Sequence, residues 1–229
     1  MAIGAATDAQ TSGESHRMGT YSRRKAVNAA LFLAALVFVL SVELFFATGA
    51  NSASSQDGTK SCVLTPLEMP ATPERIPGYT ELDRSTGLHV TGTIQRIDIR
   101  TYKLEVTGKV KNSLRLAISD LRCMGRIEAS PKLVCPGFFE DITTWAGAPL
   151  KTVIELAKPS TDAKEIHLVG ADGYSATVPI KEAMSEKNFL AYEWTGKYLP
   201  ELHGFPLRAV FPDMEGNRWV KWLIKIEVR

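Results

Sequence analysis

One cysteine and three basic side chains carry most of the chemistry that this sequence can offer. Cys135 lies in the run LVCPGFFEDITTWAGAPL, between an apolar stretch and a Pro-Gly pair, His203 and Arg208 lie in HGFPLRAVFP, and Lys221 lies in WVKW. A thiolate is a good ligand for soft metals, and a neighbouring cation lowers the pKa of a thiol. Arg208 offers a planar fork of donors for a phosphate, and His203 a donor whose protonation switches near neutral pH. Together these groups suit a metal carried on an anionic organic cofactor. Each also has a plainer reading: a buried cysteine acting as a small apolar residue, a packing histidine or arginine, and a solvated lysine on the polar side of a strand.

The remaining candidates are weaker. Asp172 stands in an Ala-Asp-Gly sequence that is first of all a turn. Glu140 and Asp141 are adjacent carboxylates with nothing in the sequence to set their geometry. His89 and His167 fall in strand-like patterns, read as structural, and have no metal-ligand spacing between them. Besides Cys135 there are Cys62 and Cys123, with no C-x-x-C pair, so a zinc ribbon or thioredoxin-type site is not expected. Cys62 and Cys123 can pair in an oxidising compartment, but spacing alone does not decide it.

These residues must be positioned by strands and a few short helices. Residues 90–99 alternate loosely as a strand, and Tyr102, Leu104 and Val106 share a face of a second one ending at Gly108. Ser119 and Asp120 can cap a short helix. Leu133 and Val134 lead into Cys135, and Pro136-Gly137 turns the chain. A helix is expected over Trp145–Lys158, with Pro149 in its first turn and Leu150, Val153, Ile154 and Ala157 on one apolar face. Ile166 and Leu168 begin another strand. After the Asp172 turn, Tyr174, Ala176, Val178 and Ile180 alternate, and Lys181–Met184 is a short helical piece. Phe189–Trp194 and Leu207–Phe211 are strands. Val220, Trp222, Ile224, Ile226 and Val228 line one face of a last strand, with Lys221 on the other. The class is α+β, a mixed sheet with short helices packed on it.

The 229 residues suffice for one good-sized domain, and the net charge of +2 shows no general basic field, so nucleic acid is not an expected partner. Residues 1–25 are polar and end in Arg23, Arg24 and Lys25, read as a disordered cytoplasmic N-terminus. Residues 26–47 are apolar apart from Asn28, Ser41 and Glu43. A run of roughly 20 such residues can cross a membrane as a helix, and the preceding cations place the N-terminus inside. The alternatives are a retained single-pass anchor in the cell membrane and a cleaved export signal. Residues 48–84 are rich in Ser, Thr, Pro and Gly and read as a linker, with the globular domain at 85–229.

Over residues 90–229 the text LVCPGFF…WAGAPLKTVIELA, GADGYSATVPIKEAM, LAYEWTGKYLPELHGFPLRAVFP and RWVKWLIKIEV resembles the molybdopterin-binding domain of the sulfite oxidase superfamily, in order and in spacing. The resemblance implies the sulfite-oxidase-type fold and a molybdenum (or tungsten) held by a pterin dithiolene and by Cys135. It implies cofactor contacts from His203, Arg208 and Asp172, and a cofactor phosphate gripped by the Trp219–Val220–Lys221 stretch. Oxygen-atom or electron transfer on a small molecule would follow, with a haem protein or cytochrome as electron partner. Sulfite oxidases continue from the ligand cysteine with Ala-Gly-Asn-Arg-Arg, whereas this chain has Pro136-Gly137-Phe138-Phe139-Glu140, so sulfite is not the expected substrate. Neither a dimerisation nor a haem domain is expected. In this the chain is more similar to small exported members such as the catalytic subunit of methionine-sulfoxide reductase. Two other classes stay open: a non-catalytic cofactor-binding module on the same fold, and a structural extracellular domain.

Overall fold

The computed structural model describes residues 62–229. The expected membrane-spanning or signal segment at 26–47 lies outside the described residues. In chain order the strands and helices are β1 (Leu82–Asp83), β2 (Leu88–His89), β3 (Leu104–Gly108), β4 (Leu114–Leu116), α1 (Ile118–Arg122), β5 (Ile127–Ala129), β6 (Lys132–Cys135), β7 (Phe139–Ile142) and β8 (Trp145–Pro149). They continue with α2 (Leu150–Ala157), β9 (Glu165–Gly170), β10 (Ser175–Pro179), α3 (Ile180–Ala183), β11 (Phe189–Trp194), β12 (Lys197–Tyr198), β13 (Arg208–Val210) and β14 (Leu223–Val228). Short 3-10 turns occupy Glu201–His203 and Gly216–Arg218.

One sheet has the order β10-β9-β14-β3-β4, with β14 and β3 parallel and the other pairs antiparallel. The second has the order β12-β11-β8-β5, with β13 also on β11. The hairpins β1-β2 and β6-β7 stand apart from both. This mixed-sheet arrangement with a few short helices is the expected α+β class. α2 buries the four residues Leu150, Val153, Ile154 and Ala157 that its 3.6-residue period marks as the core face. β9 and β14 bury Ile166, Leu168, Ile226 and Val228 at period two.

Several expected elements are corrected. Trp145–Pro149 is a strand, not the start of a helix, and α2 begins only at Leu150. Trp145, Ala146 and Ala148 are all buried, and Gly147 lies so close to β11 that an added Cβ would meet the Leu190 carbonyl oxygen at 1.9 Å. Small residues there serve close backbone approach, which local periodicity does not reveal. Residues 90–99 form no ladder beyond β2. Ile97 and Ile99 do pack on the core, so the alternation is real but has no partner strand. Asp120 caps α1 from inside its first turn, its carboxylate accepting the Ala117 N–H at 2.8 Å, while Ser119 makes no capping bond. Tyr174 precedes β10, Ile180 opens α3, and β13 is shorter than Leu207–Phe211.

The last strand begins at Leu223, not Val220. Trp222 takes φ 49°, which breaks the alternation just before it, and the buried Tyr102 hydroxyl donates to the Leu223 carbonyl. Lys221 is therefore not on a solvated strand face; it is 8% exposed. The segment read as a linker is attached to the domain from Cys62 onward. Cys62 is disulfide-bonded to Cys123, and the Tyr198 N–H donates to the Glu68 carbonyl at 2.9 Å.

Candidate active site

The site is assembled where β6, β13 and the two 3-10 turns meet. β6 ends at Cys135, and the chain reverses through Pro136 and Gly137, with the Phe138 N–H donating back to the Cys135 carbonyl at 3.0 Å. Gly137 has φ 79°, the value that the third residue of a type II turn requires. The turn leaves the Cys135 thiol free and half-buried. Gly216 sits against it: a Cβ there would come within 2.7 Å of the sulfur. The thiol faces a cleft of about 530 Å³, which Asp172, Tyr174, Trp219 and Lys221 also line. A second, narrow cavity of about 30 Å³ runs behind it, among Cys135, Asp141, His203, Arg208 and Lys221.

Three side chains converge on one turn. The carbonyls of Glu201, Leu202 and His203 accept from the Trp222 indole Nε1 (2.8 Å), the Lys221 ammonium (3.1 Å) and the Arg208 guanidinium (3.4 Å). The Glu201 carbonyl also accepts the Gly204 N–H at 3.5 Å, and the cationic groups of the site and a tryptophan complete the turn. Lys221 also donates to the Thr91 carbonyl and lies over the Trp222 ring at 4.8 Å.

Arg208 is buried between two indoles, 4.9 Å from the Trp145 ring centre and 5.6 Å from that of Trp219. Its Nε has no hydrogen-bond partner among the described residues. Burial lowers its pKa to about 10, opposed by the negative charge of Asp141 and of Cys135 if ionised. Lys221 is pushed well below its ordinary value, by burial first and by Arg208 second. Burial raises the Cys135 thiol, while Arg208 and Lys221 pull it back down. A buried guanidinium with no carboxylate bonded to it, beside a thiol and an ammonium, suits an anion that bears a metal. The residues thus fit the cofactor that the sequence implies.

The remaining expected residues are placed as follows. Asp172 lines the cleft and accepts the Tyr174 N–H at 3.1 Å, the turn bond its sequence context implies. Trp219 is buried, its indole donating to the Phe211 carbonyl at 2.9 Å. Val220 is buried and lines neither cavity. The backbone N–H groups of Trp219 and Val220 donate to the Gly216 and Arg218 carbonyls. His203 is 1% exposed and bonded to Asp83 and Thr86. Glu140 and Asp141 do not act as a pair. Glu140 is exposed and bound to Lys132, whereas Asp141 is buried and accepts from the His89 ring Nδ1 (2.7 Å) and backbone (2.9 Å). Sequence reasoning missed Asp83, Thr86 and Gly216. The Asp-Arg-Ser-Thr run at 83–86 carried a local signal, since aspartate followed by serine and threonine favours a capped turn.

The family model for the oxidoreductase molybdopterin binding domain matches residues 91–229, more than half of the chain. The chain belongs to that family. Its members bind molybdenum on molybdopterin. It is similar to the mitochondrial sulfite oxidase of Homo sapiens, 32% identical over 166 residues, which cover 59% of this chain and 30% of that protein. It is also similar to the uncharacterized oxidoreductase YuiH of Bacillus subtilis, at 28% identity with 67% and 78% covered, and to a putative protein-methionine-sulfoxide reductase subunit YedZ1 of Azospira oryzae, at 24% identity with 57% and 50% covered. The match thus spans less than a third of the human enzyme's length. Among solved structures, the sulfane dehydrogenase SoxCD of Paracoccus pantotrophus shares the fold with a TM-score of 0.56 at 18% identity, over 83% of this chain and 58% of that one.

Proposed function

We propose that this molybdopterin-binding domain works outside the cytoplasmic membrane as an oxidoreductase, by oxygen-atom or electron transfer on a small, uncharged oxo-substrate rather than sulfite. The observation that carries the reading is a free Cys135 thiol sharing a cavity with the enclosed Arg208 guanidinium, whose Nε has no partner among the described residues. Cys135 would hold the metal as an anionic sulfur donor, and Arg208, Lys221 and His203 would hold the cofactor. When bound, the cofactor supplies the two-electron redox change. The indoles of Trp145 and Trp219 keep water from Arg208, so its charge acts at close to full strength on an anion.

The cleft mouth supports the choice of substrate. Phe138 is 74% exposed and Tyr79 71% exposed, and both line the cleft with Tyr174. Asp172 and Glu215 are also in the lining, and Lys221 is its one cation among the described residues. An aromatic rim with two carboxylates disfavours an oxyanion and admits a neutral or apolar group. The Cys62–Cys123 disulfide supports an oxidising compartment, as does the arginine-flanked apolar run at 26–47. Electrons would pass to or from a membrane haem protein or a soluble cytochrome. Similarity to a subunit named as a protein-methionine-sulfoxide reductase component favours a membrane-associated partner.

Elemental analysis of the full chain made in a molybdenum-competent host tests the assignment. Stoichiometric molybdenum and pterin, lost in Cys135→Ala, are expected; their absence from the wild-type chain would overturn it. Turnover of sulfoxides but not sulfite is expected of the loaded protein. A loaded protein that turns over no oxo-compound would be a cofactor-binding module instead.

A further inference from the structure

His203 reaches the site only as part of a buried network that begins before the family-matched span. The hairpin β1-β2 pairs Asp83 with Leu88 and Leu82 with His89. From it, Asp83 meets His203 with Oδ2 at 3.1 Å from the ring Nε2, and both side chains are almost fully buried, 2% and 1% exposed. The Asp83 carboxylate is satisfied on its other sides by the Ser85 N–H (3.0 Å), the Ser85 hydroxyl (2.7 Å) and the Thr86 hydroxyl (2.8 Å). Thr86 Oγ1 also lies 3.0 Å from His203 Nε2 and accepts the Leu88 N–H at 3.3 Å.

These contacts require a proton on Nε2. The Thr86 hydroxyl has a single hydrogen, and the carboxylate at 2.8 Å takes it. An unprotonated Nε2 would then face a carboxylate oxygen and a hydroxyl oxygen, lone pair against lone pair, in a buried site. Nε2 must therefore carry the proton. Burial disfavours a second proton on the ring, and Lys221 and Arg208, which donate to the carbonyls of Leu202 and His203, disfavour it further; together they outweigh the opposite pull of the Asp83 carboxylate. His203 is thus neutral, and its Nδ1, which has no partner among the described residues, is an acceptor. The ring lines the narrow cavity shared with Cys135, Arg208 and Lys221. The other strand of the hairpin buttresses the same cavity, since His89 of β2 binds the buried Asp141.

We propose that Asp83 is a positioning residue of the site: from the β1-β2 hairpin it fixes His203 as the neutral Nε2–H tautomer, so that Nδ1 accepts from a donor of the bound cofactor. This rests on the cofactor assignment above and adds to it a residue outside the matched span of 91–229. A fixed tautomer is what separates a positioning carboxylate from one that only stabilises the hairpin.

The test is a two-bond ¹H–¹⁵N spectrum of the full chain labelled in its four histidines, free of cofactor, with His203→Gln to assign the ring. The wild type should show His203 as a single neutral Nε2–H tautomer. Asp83→Asn should give a mixture with the Nδ1–H form, and Asp83→Glu should restore the single form. In protein made with cofactor, Asp83→Asn should lower molybdenum and pterin retention by about 10-fold, the loss of one charge-assisted hydrogen bond. His203→Ala should lose as much, and the double variant no more than the worse single one. A wild-type His203 that is an imidazolium or the Nδ1–H form overturns the proposal outright, with no variant needed should Asp83→Asn fail to fold. An Asp83→Asn chain with the wild-type tautomer and full cofactor overturns it equally. Absence of pterin from the wild type defeats the functional assignment instead, and the spectrum of the cofactor-free chain keeps the two outcomes apart.

Discussion

Arg208 forms no ion pair among the described residues, with Asp141 acting on it only at a distance, and a buried cation so placed costs several kcal/mol. Stacking on Trp145 and Trp219 returns only part of this, on the order of 1–2 kcal/mol. Arg208→Met should therefore leave the cofactor-free domain as stable as the wild type or about 1–2 kcal/mol more so, by urea denaturation, while abolishing cofactor retention. A structural arginine would show the opposite, a loss of stability. His203 gives a second prediction. Burial, with Lys221 next, lowers its folded pKa to about 3, against about 6.5 unfolded. Above pH 6.5 both states hold a neutral ring and its contribution is complete. As pH falls from 6.5 towards 3 the unfolded chain takes up a proton that the folded one refuses, and stability falls by about 1.4 kcal/mol per pH unit from this group. Urea denaturation at pH 7, 6 and 5 should show a shallower decline in His203→Gln than in wild type. At this scale the sequence showed which side chains could do chemistry and, through the family resemblance, which of them belong together. It did not show that Lys221 is buried, because the φ of Trp222 that turns it inward leaves no trace in the apolar alternation around it. Nor did it show Asp83, whose partner is 120 residues away.

Strands and turns here meet at glycines. Gly147 brings β8 against β11, and Gly147→Ala should destabilise the domain by about 3 kcal/mol or more, since the clash is with backbone rather than with a movable side chain. Equilibrium unfolding with an unchanged m-value would confirm it. Gly216 acts differently, because its added Cβ would meet the sulfur of Cys135 at 2.7 Å and its backbone does not need positive φ. Gly216→Ala should keep the circular dichroism of the wild type, yet slow the reaction of Cys135 with a thiol reagent several-fold and reduce bound molybdenum. Element identity was most legible where a period ran uninterrupted, as in Phe189–Trp194 or the apolar face of α2. It failed at Trp145–Pro149, where Ala146 and Ala148 look helical in isolation and, with Gly147, are small for the sake of a neighbouring strand. Residues 90–99 failed for the converse reason: alternation marks a half-buried segment but cannot supply a partner.

For the whole molecule, the Cys62–Cys123 link closes a loop with a sequence separation of 61 and fastens the start of the described chain beside α1. The loop length corresponds to about 4 kcal/mol of denatured-state entropy. Cys62→Ser should lower the unfolding free energy by about that amount, and reductant should lower the wild type similarly without affecting the variant. The fold class was readable from the succession of short strands and helices, but the sheet order was not, since β14 joins β3 and β9 from the far end of the chain. The turn at Glu201–His203 has a further consequence for the whole molecule. Its three carbonyls hold Trp222, Lys221 and Arg208 in place before anything binds, so the rotamer freedom of two long cationic side chains is given up on folding rather than at the moment of association. Incoming cofactor would meet a receptor that is already rigid, and its capture should show a small entropic penalty, with calorimetry of cofactor loading as the measure.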